Sequence, residues 1–208
     1  MRTLRTLLAV GLALLLVGCD ADPSNPLVPC VQPLYTDVDL DFDPTLLSAF
    51  RNKDGDLTFV FEKQGDNEFK LTVHEEEGEK KFSGRFEAHL VRLGGYWFLD
   101  FYPEALEVGD SFYRLHWVRA HTIARVWIEN HTLRLGFLSS RWLKQRLEDR
   151  SVDIDHRQVD DSIVVTAPTR DLQDLVFRYA TDSEAFGEPL DLHRAKDCPD
   201  REGCSDER

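Results

Sequence analysis

The sequence predicts a mainly β domain: an antiparallel meander of about eight strands that closes into a barrel or folds over as a sandwich, with two short helices late in the chain. Three observations carry this. Apolar residues recur at every second position in one segment after another, the period of a strand with one buried face. Turn signals built on Gly, Asp and Asn separate those segments. Late in the chain the period changes to that of a helix. A meander of this size removes its exposed edges by closing on itself or folding over.

Leu57, Phe59 and Phe61 alternate with Thr58, Val60 and Glu62, and Phe69, Leu71 and Val73 alternate with Lys70, Thr72 and His74. Phe82, Phe86, Ala88 and Leu90 share a face opposite Ser83, Arg85, Glu87 and His89. Tyr96 to Tyr102 is apolar on both faces except at Asp100. Phe112 to Ile128 reads as two strands or one long bent one, Leu133, Leu135 and Phe137 repeat the alternation, and Ile163 to Val165 is a short later strand. Between them fall Asp54-Gly55, Gln64-Gly65-Asp66-Asn67, Glu77-Gly78, Gly94-Gly95 and Glu129-Asn130, all turn formers. Ser139 and Ser140 can cap a helix over Arg141 to Asp149, with Leu143 and Leu147 four apart. Pro168 and Thr169 open a second helix, where Leu172, Leu175, Val176, Tyr179 and Ala180 form the stripe of a helix packed on a sheet.

The chain has 208 residues, 42% apolar and 30% charged, with thirteen Phe, five Tyr and four Trp to furnish a core. That length suits one domain, and that composition excludes wholesale disorder, a collagen, a coiled coil and a multispan membrane protein. The formal charge of −13 repels phosphate backbones, so nucleic-acid binding is not expected.

Residues 1–18 read as a signal peptide. Arg2 and Arg5 precede an apolar run from Leu7 to Val17, too short for a spanning helix. The run closes in Leu16-Val17-Gly18-Cys19, which resembles the lipobox of bacterial lipoproteins. The resemblance implies cleavage before Cys19, a diacylglycerol on its thiol and an acylated amine. It thereby implies a place in the bacterial cell envelope, tethered to a membrane through the Cys19 lipid. Asp20 in the following position is associated with inner-membrane retention in enterobacterial lipoproteins. Losing Arg2 and Arg5 leaves 23 basic against 38 acidic residues, a formal −15, so the tether has to come from the acyl chains.

Residues 19–32 form a lipidated linker in which Pro23, Pro26 and Pro29 recur every third residue, an extended spacer. Residues 33–187 are the single β-rich domain. Residues 188–208, polar and poor in large apolar side chains, read as a disordered acidic tail. Once Cys19 carries lipid, Cys30, Cys198 and Cys204 remain. A bridge from Cys198 to Cys204, a bridge from Cys30 to the tail, and three free thiols are all open.

The body also resembles bacterial lipoproteins of uncharacterised function in Pro33 to Thr36, Gly94 to Tyr96, His121 to Trp127 and Thr166 to Thr169. That resemblance implies no activity. More distantly the plan is similar to a lipocalin: an N-terminal turn, a meander barrel and a late helix. The lipocalin Gly-x-Trp signature is replaced by Ser48-Ala49-Phe50.

Asp37, Asp39, Asp41 and Asp43 alternate with apolar residues and would face one way on a strand, as a solvated face or as Ca²⁺ oxygens. Asn52, Asp54 and Asp56 around Gly55 lack the EF-hand spacing and read as a turn. No metal site or cofactor is expected. On an idealised strand Trp117, His121, Ile123, Arg125 and Trp127 share one face. Such a face suits an anion or substrate site, and equally an ordinary packed face with a buried polar pair. The candidate ligand-binding residues are Trp97, Trp117, His121 and Arg125, with Arg125 needing either an internal carboxylate such as Asp100 or an acidic group on a ligand. No nucleophile elbow, zinc-protease motif or phosphate-binding Gly-rich loop is present. Two functions fit: a lipid-anchored, non-catalytic envelope domain that binds a small ligand or a protein partner, and an envelope enzyme with an unrecognised active site.

Overall fold

The computed structural model describes residues 27–105, 118–129 and 131–195. The signal peptide, Cys19, the first six residues of the Phe112 to Ile128 segment, up to and including Trp117, and Cys198 and Cys204 lie outside the described residues. Eleven strands and two helices follow one another among those described: β1 (Leu40–Asp41), β2 (Ala49–Arg51), β3 (Leu57–Lys63), β4 (Phe69–Glu77), β5 (Lys80–Leu93), β6 (Tyr96–Pro103), β7 (Thr122–Glu129), β8 (Thr132–Phe137), α1 (Ser140–Glu148), β9 (His156–Val159), β10 (Ser162–Val165), α2 (Thr169–Arg178) and β11 (Leu190–Arg194). A 3-10 turn at Pro44–Leu46 separates β1 from β2.

The sheet closes. From β5 it runs through β4, β3, β2, β11, β8, β7 and β6 back to β5, so eight antiparallel strands form a barrel, with β1 paired to β5 beyond the end of β4. The alternation seen in the sequence fills its interior. Phe59 and Phe61 of β3, Phe69 and Leu71 of β4, Ala88 and Leu90 of β5, Leu99 and Phe101 of β6, and Leu133 and Leu135 of β8 form one buried cluster. An eight-stranded barrel has an interior just wide enough for its own side chains. Each such Leu or Phe contributes roughly 1.5–3 kcal/mol by burial. Phe82 departs from the expected face and is 51% exposed. It pairs with Glu75, the residue opposite the first position of β3, so it sits where the β4–β5 hairpin leaves the barrel.

A second core lies outside the barrel wall. Phe98 of β6 and Ile123 of β7 point outward and are covered by Trp142 and Leu143 of α1, Leu172, Leu175 and Val176 of α2, and Ile163 and Val165 of β10. This explains why β6 is apolar on both faces. The α1 cap is as the sequence predicts: Ser139 Oγ accepts from the Trp142 N–H at 3.2 Å. The Gly94–Gly95 turn has positive φ at both residues (+56° and +102°), and a Cβ at Gly94 would overlap the Phe177 ring of α2, so the turn needs Gly for conformation and for space.

Two boundaries differ from the sequence reading. The tail expected from residue 188 contains β11, whose Leu192 is fully buried and which joins β2 to β8. Two leucines in a charged segment are a weak strand signal, and the pairing partners that make it a strand are remote in sequence. The linker expected to run to residue 32 is packed from Val28 onward. Cys30 exchanges backbone hydrogen bonds with His121 (both 2.8 Å) and bridges to Val165. The aspartate row is not one strand face either. Asp39 accepts from Thr36 and Gln173, while Asp43 caps the 3-10 turn through Thr45.

Candidate functional site

β7 is the strand that organises the candidate residues. Ala124 and Val126 point into the barrel, while Ile123, Arg125 and Trp127 point out. Arg125 stands opposite Phe98 of β6 and Gly136 of β8. Because Gly136 has no side chain, the Trp127 ring leans over it; a Cβ there would lie 3.2 Å from Trp127 Cζ3. The Arg125 guanidinium is held between rings, 4.6 Å from the Trp127 centroid and 4.7 Å from that of Tyr96. Its Nε is buried and has no hydrogen-bond partner. Desolvation pulls its pKa below the usual guanidinium value, and the Tyr96 side chain works against that shift.

β6 starts at Tyr96, and its last partner on β7 is Val126. β7 continues to Glu129. On the β6 side of this stretch, which β8 alone pairs, opens a concavity of about 550 Å³, lined by Arg125, Trp127 and Ile128 with Tyr96, Trp97 and Thr45 among its walls. Asp43 and Glu129 add carboxylates to the wall. Trp97 packs against the barrel interior at this rim, with the Arg92 guanidinium 5.5 Å from its ring. Inward-facing Trp97 and outward-facing Arg125 therefore meet in one depression, though they sit on opposite faces of the wall.

His121 is elsewhere. Its Nδ1 lies 2.6 Å from Asp100 Oδ1, and Asp100, fully buried, also accepts from the Leu34 N–H at 2.7 Å. This corrects the expectation that Asp100 could partner Arg125: the carboxylate is already taken by His121 and the backbone. Tyr102 stacks on His121 at 4.4 Å, and the Arg119 guanidinium lies 4.4 Å from the centroid of the same Tyr102 ring. Opposite Asp100 on β5, His89 stacks with Tyr35 at 4.4 Å. Burial pulls the His89 pKa down, and burial together with Asp100 raises the Tyr35 phenol to about 12. Asp100, His121 and His89 each touch the chain from Cys30 to Tyr35, so the three fasten the N-terminal segment to the barrel.

Cys30 is a free, buried thiol whose Sγ contacts the Val28 carbonyl at 3.7 Å. Burial, with Asp100 nearby, pushes its pKa up to about 12, the opposite of what a nucleophilic cysteine requires. Among the described residues no group of three or more His, Cys, Asp or Glu is placed to hold a metal ion. Trp117 lies outside the described residues. Sequence reasoning named Arg125 and Trp97 but not the wall supplied by Thr45 and Glu129, which reaches the site through the 3-10 turn and the β7 overhang. No family model matches the chain, and neither a curated protein nor a solved structure is found to match it.

Proposed function

We propose that this protein is a lipid-anchored, non-catalytic domain of the bacterial cell envelope that binds a small ligand or a protein partner at the Arg125 concavity. The observation that supports it best is the guanidinium itself. It is clamped between two rings, makes no hydrogen bond to a described residue, and opens onto a depression at the barrel rim. Tyr, Trp and Arg are the side chains that dominate binding surfaces. With the interior packed, the reading puts the ligand at the barrel rim, unlike a lipocalin ligand held within the barrel.

The Asp100–His121 pair is the arrangement that an enzymatic reading would draw on. Its contacts favour a clamp instead: both residues bind the N-terminal segment, and the neighbouring thiol is held protonated. The anchor rests on the sequence alone.

Two measurements test the proposal. Fatty-acid labelling should be lost in Cys19→Ala, and equal label in the variant removes the anchor. Capture from envelope extracts should fall in Arg125→Met while its thermal midpoint holds; capture that is unchanged in the variant removes the site.

A further inference from the structure

We infer that the Arg125 concavity selects a singly charged carboxylate borne beside an apolar group; this rests on the reading that the domain binds its ligand there. Four other arginines sit against carboxylates, and Arg51, Arg119, Arg157 and Arg194 each donate to a hydroxyl or carbonyl oxygen. Arg134 is 2.8 Å from Asp191, and Arg85, Arg92 and Arg146 each lie within 4.0 Å of a carboxylate. In a chain with 38 acidic residues, Arg125 makes no such pair among the described residues. Asp43 lines the same depression, but its Oδ1 is engaged by the backbone N–H and the hydroxyl of Thr45.

A guanidinium is a planar fork that matches a carboxylate in a two-bond pairing. Tyr96 and Trp127 hold this fork in place before any ligand arrives, which lowers the ordering cost of binding. The Arg125 Nε is buried without a partner, as are those of Arg146 and Arg194, so no described side chain satisfies that donor. The rest of the wall sets the ligand's other half. Trp97 and Ile128 belong to the hydrophobic packing of the barrel rim and offer it an apolar body. Asp43 and Glu129 limit the charge: beside the single guanidinium of Arg125, two carboxylates repel a phosphate dianion more strongly than a singly charged carboxylate. Both a free organic acid and the C-terminus of a peptide carry this chemistry.

The test is a set of titrations of the full chain in detergent, followed by ¹H–¹⁵N NMR at the Arg125 Nε–H and the Trp97 and Trp127 indole N–H. The probes are phenylacetate, its neutral counterpart phenylacetamide, phenyl phosphate, and the dipeptide N-acetyl-Gly-Phe with a free C-terminus. Phenylacetate should move all three signals saturably and bind about tenfold more tightly than the amide or the phosphate. A tighter N-acetyl-Gly-Phe identifies a peptide source, and a tighter phenylacetate a free acid. Arg125→Lys, which keeps the charge without the fork, should lose most of the preference for acid over amide. Equal binding of acid and amide overturns the carboxylate inference while leaving the binding site standing, as does tighter binding of the phosphate. No shift at these signals with any probe overturns both. The comparison among probes uses the wild-type chain, so it does not depend on a variant folding.

Discussion

Asp100 is wholly buried, and its two oxygens serve two different elements: the backbone of Leu34 and the ring of His121. Asp100→Ala would leave both unsatisfied inside the protein. The expected loss is about 3 kcal/mol, roughly 6–12 °C in Tm for a domain of this size, read by thermal denaturation. A loss below 1 °C would mean that the N-terminal segment is not held there. His89 gives a pH dependence. Desolvation lowers its folded pKa beneath the ordinary value, outweighing Asp100, Glu68 and Glu87, while His121 acts in the same direction as burial. The unfolded chain therefore takes up a proton at His89 before the folded one does. Its contribution to stability is full above pH ~6.5 and declines as pH falls from there toward the folded value. His89→Phe keeps a ring against Tyr35 and should flatten the fall of Tm between neutral and mildly acidic pH; an unchanged slope would exonerate this residue.

β11 is five residues long, yet it closes the barrel. It hydrogen-bonds β8 through Leu190 to His193 and β2 through His193 and Arg194, and the Arg194 guanidinium donates to the Thr45 carbonyl. A chain ending after Pro189 exposes the edges of β2 and β8 and uncovers the cavity that Leu192 fills. It should lose its cooperative melt and aggregate, whereas a chain ending after Ala195 should keep the melt. If both behave alike, β11 is not the closing strand. The β5–β6 turn makes a second test. Gly94→Ala combines positive φ with overlap on Phe177 and should cost more than about 1 kcal/mol, seen as a lower denaturant midpoint; no change would show that α2 can shift to make room.

At the scale of the molecule, the described chain is fastened to the barrel from Val28, and Leu27 bridges to Ser139. Eight residue-to-residue steps separate Leu27 from Cys19. Fully extended, they reach at most about 28 Å, so a lipid on Cys19 would hold the barrel near the bilayer, not on a long flexible lead. The net charge of −13 repels phosphate backbones. The full chain should show no salt-sensitive shift of a labelled DNA duplex, and a tight, salt-sensitive complex would overturn this electrostatic reading.

Alternation was enough to pick out the apolar face of most wall strands. Phe59, Phe61, Leu71 and Leu90 lie on the inward face that the period of two assigns them, because a strand's side chains can only alternate. The two helices were likewise legible from their capping residues and apolar stripes. The sequence also placed Arg125 and Trp127 on one face, since they are two residues apart on one strand. It did not reveal that this face lies outside the barrel, nor that Tyr96 completes the clamp, because both depend on the β6–β7 register. Nor did it disclose that Asp100 belongs to His121, or that Leu190 to Arg194 completes the wall. Local pattern reports which side of a strand is apolar; only closure of the sheet decides which side is inside, and which distant residue supplies the partner.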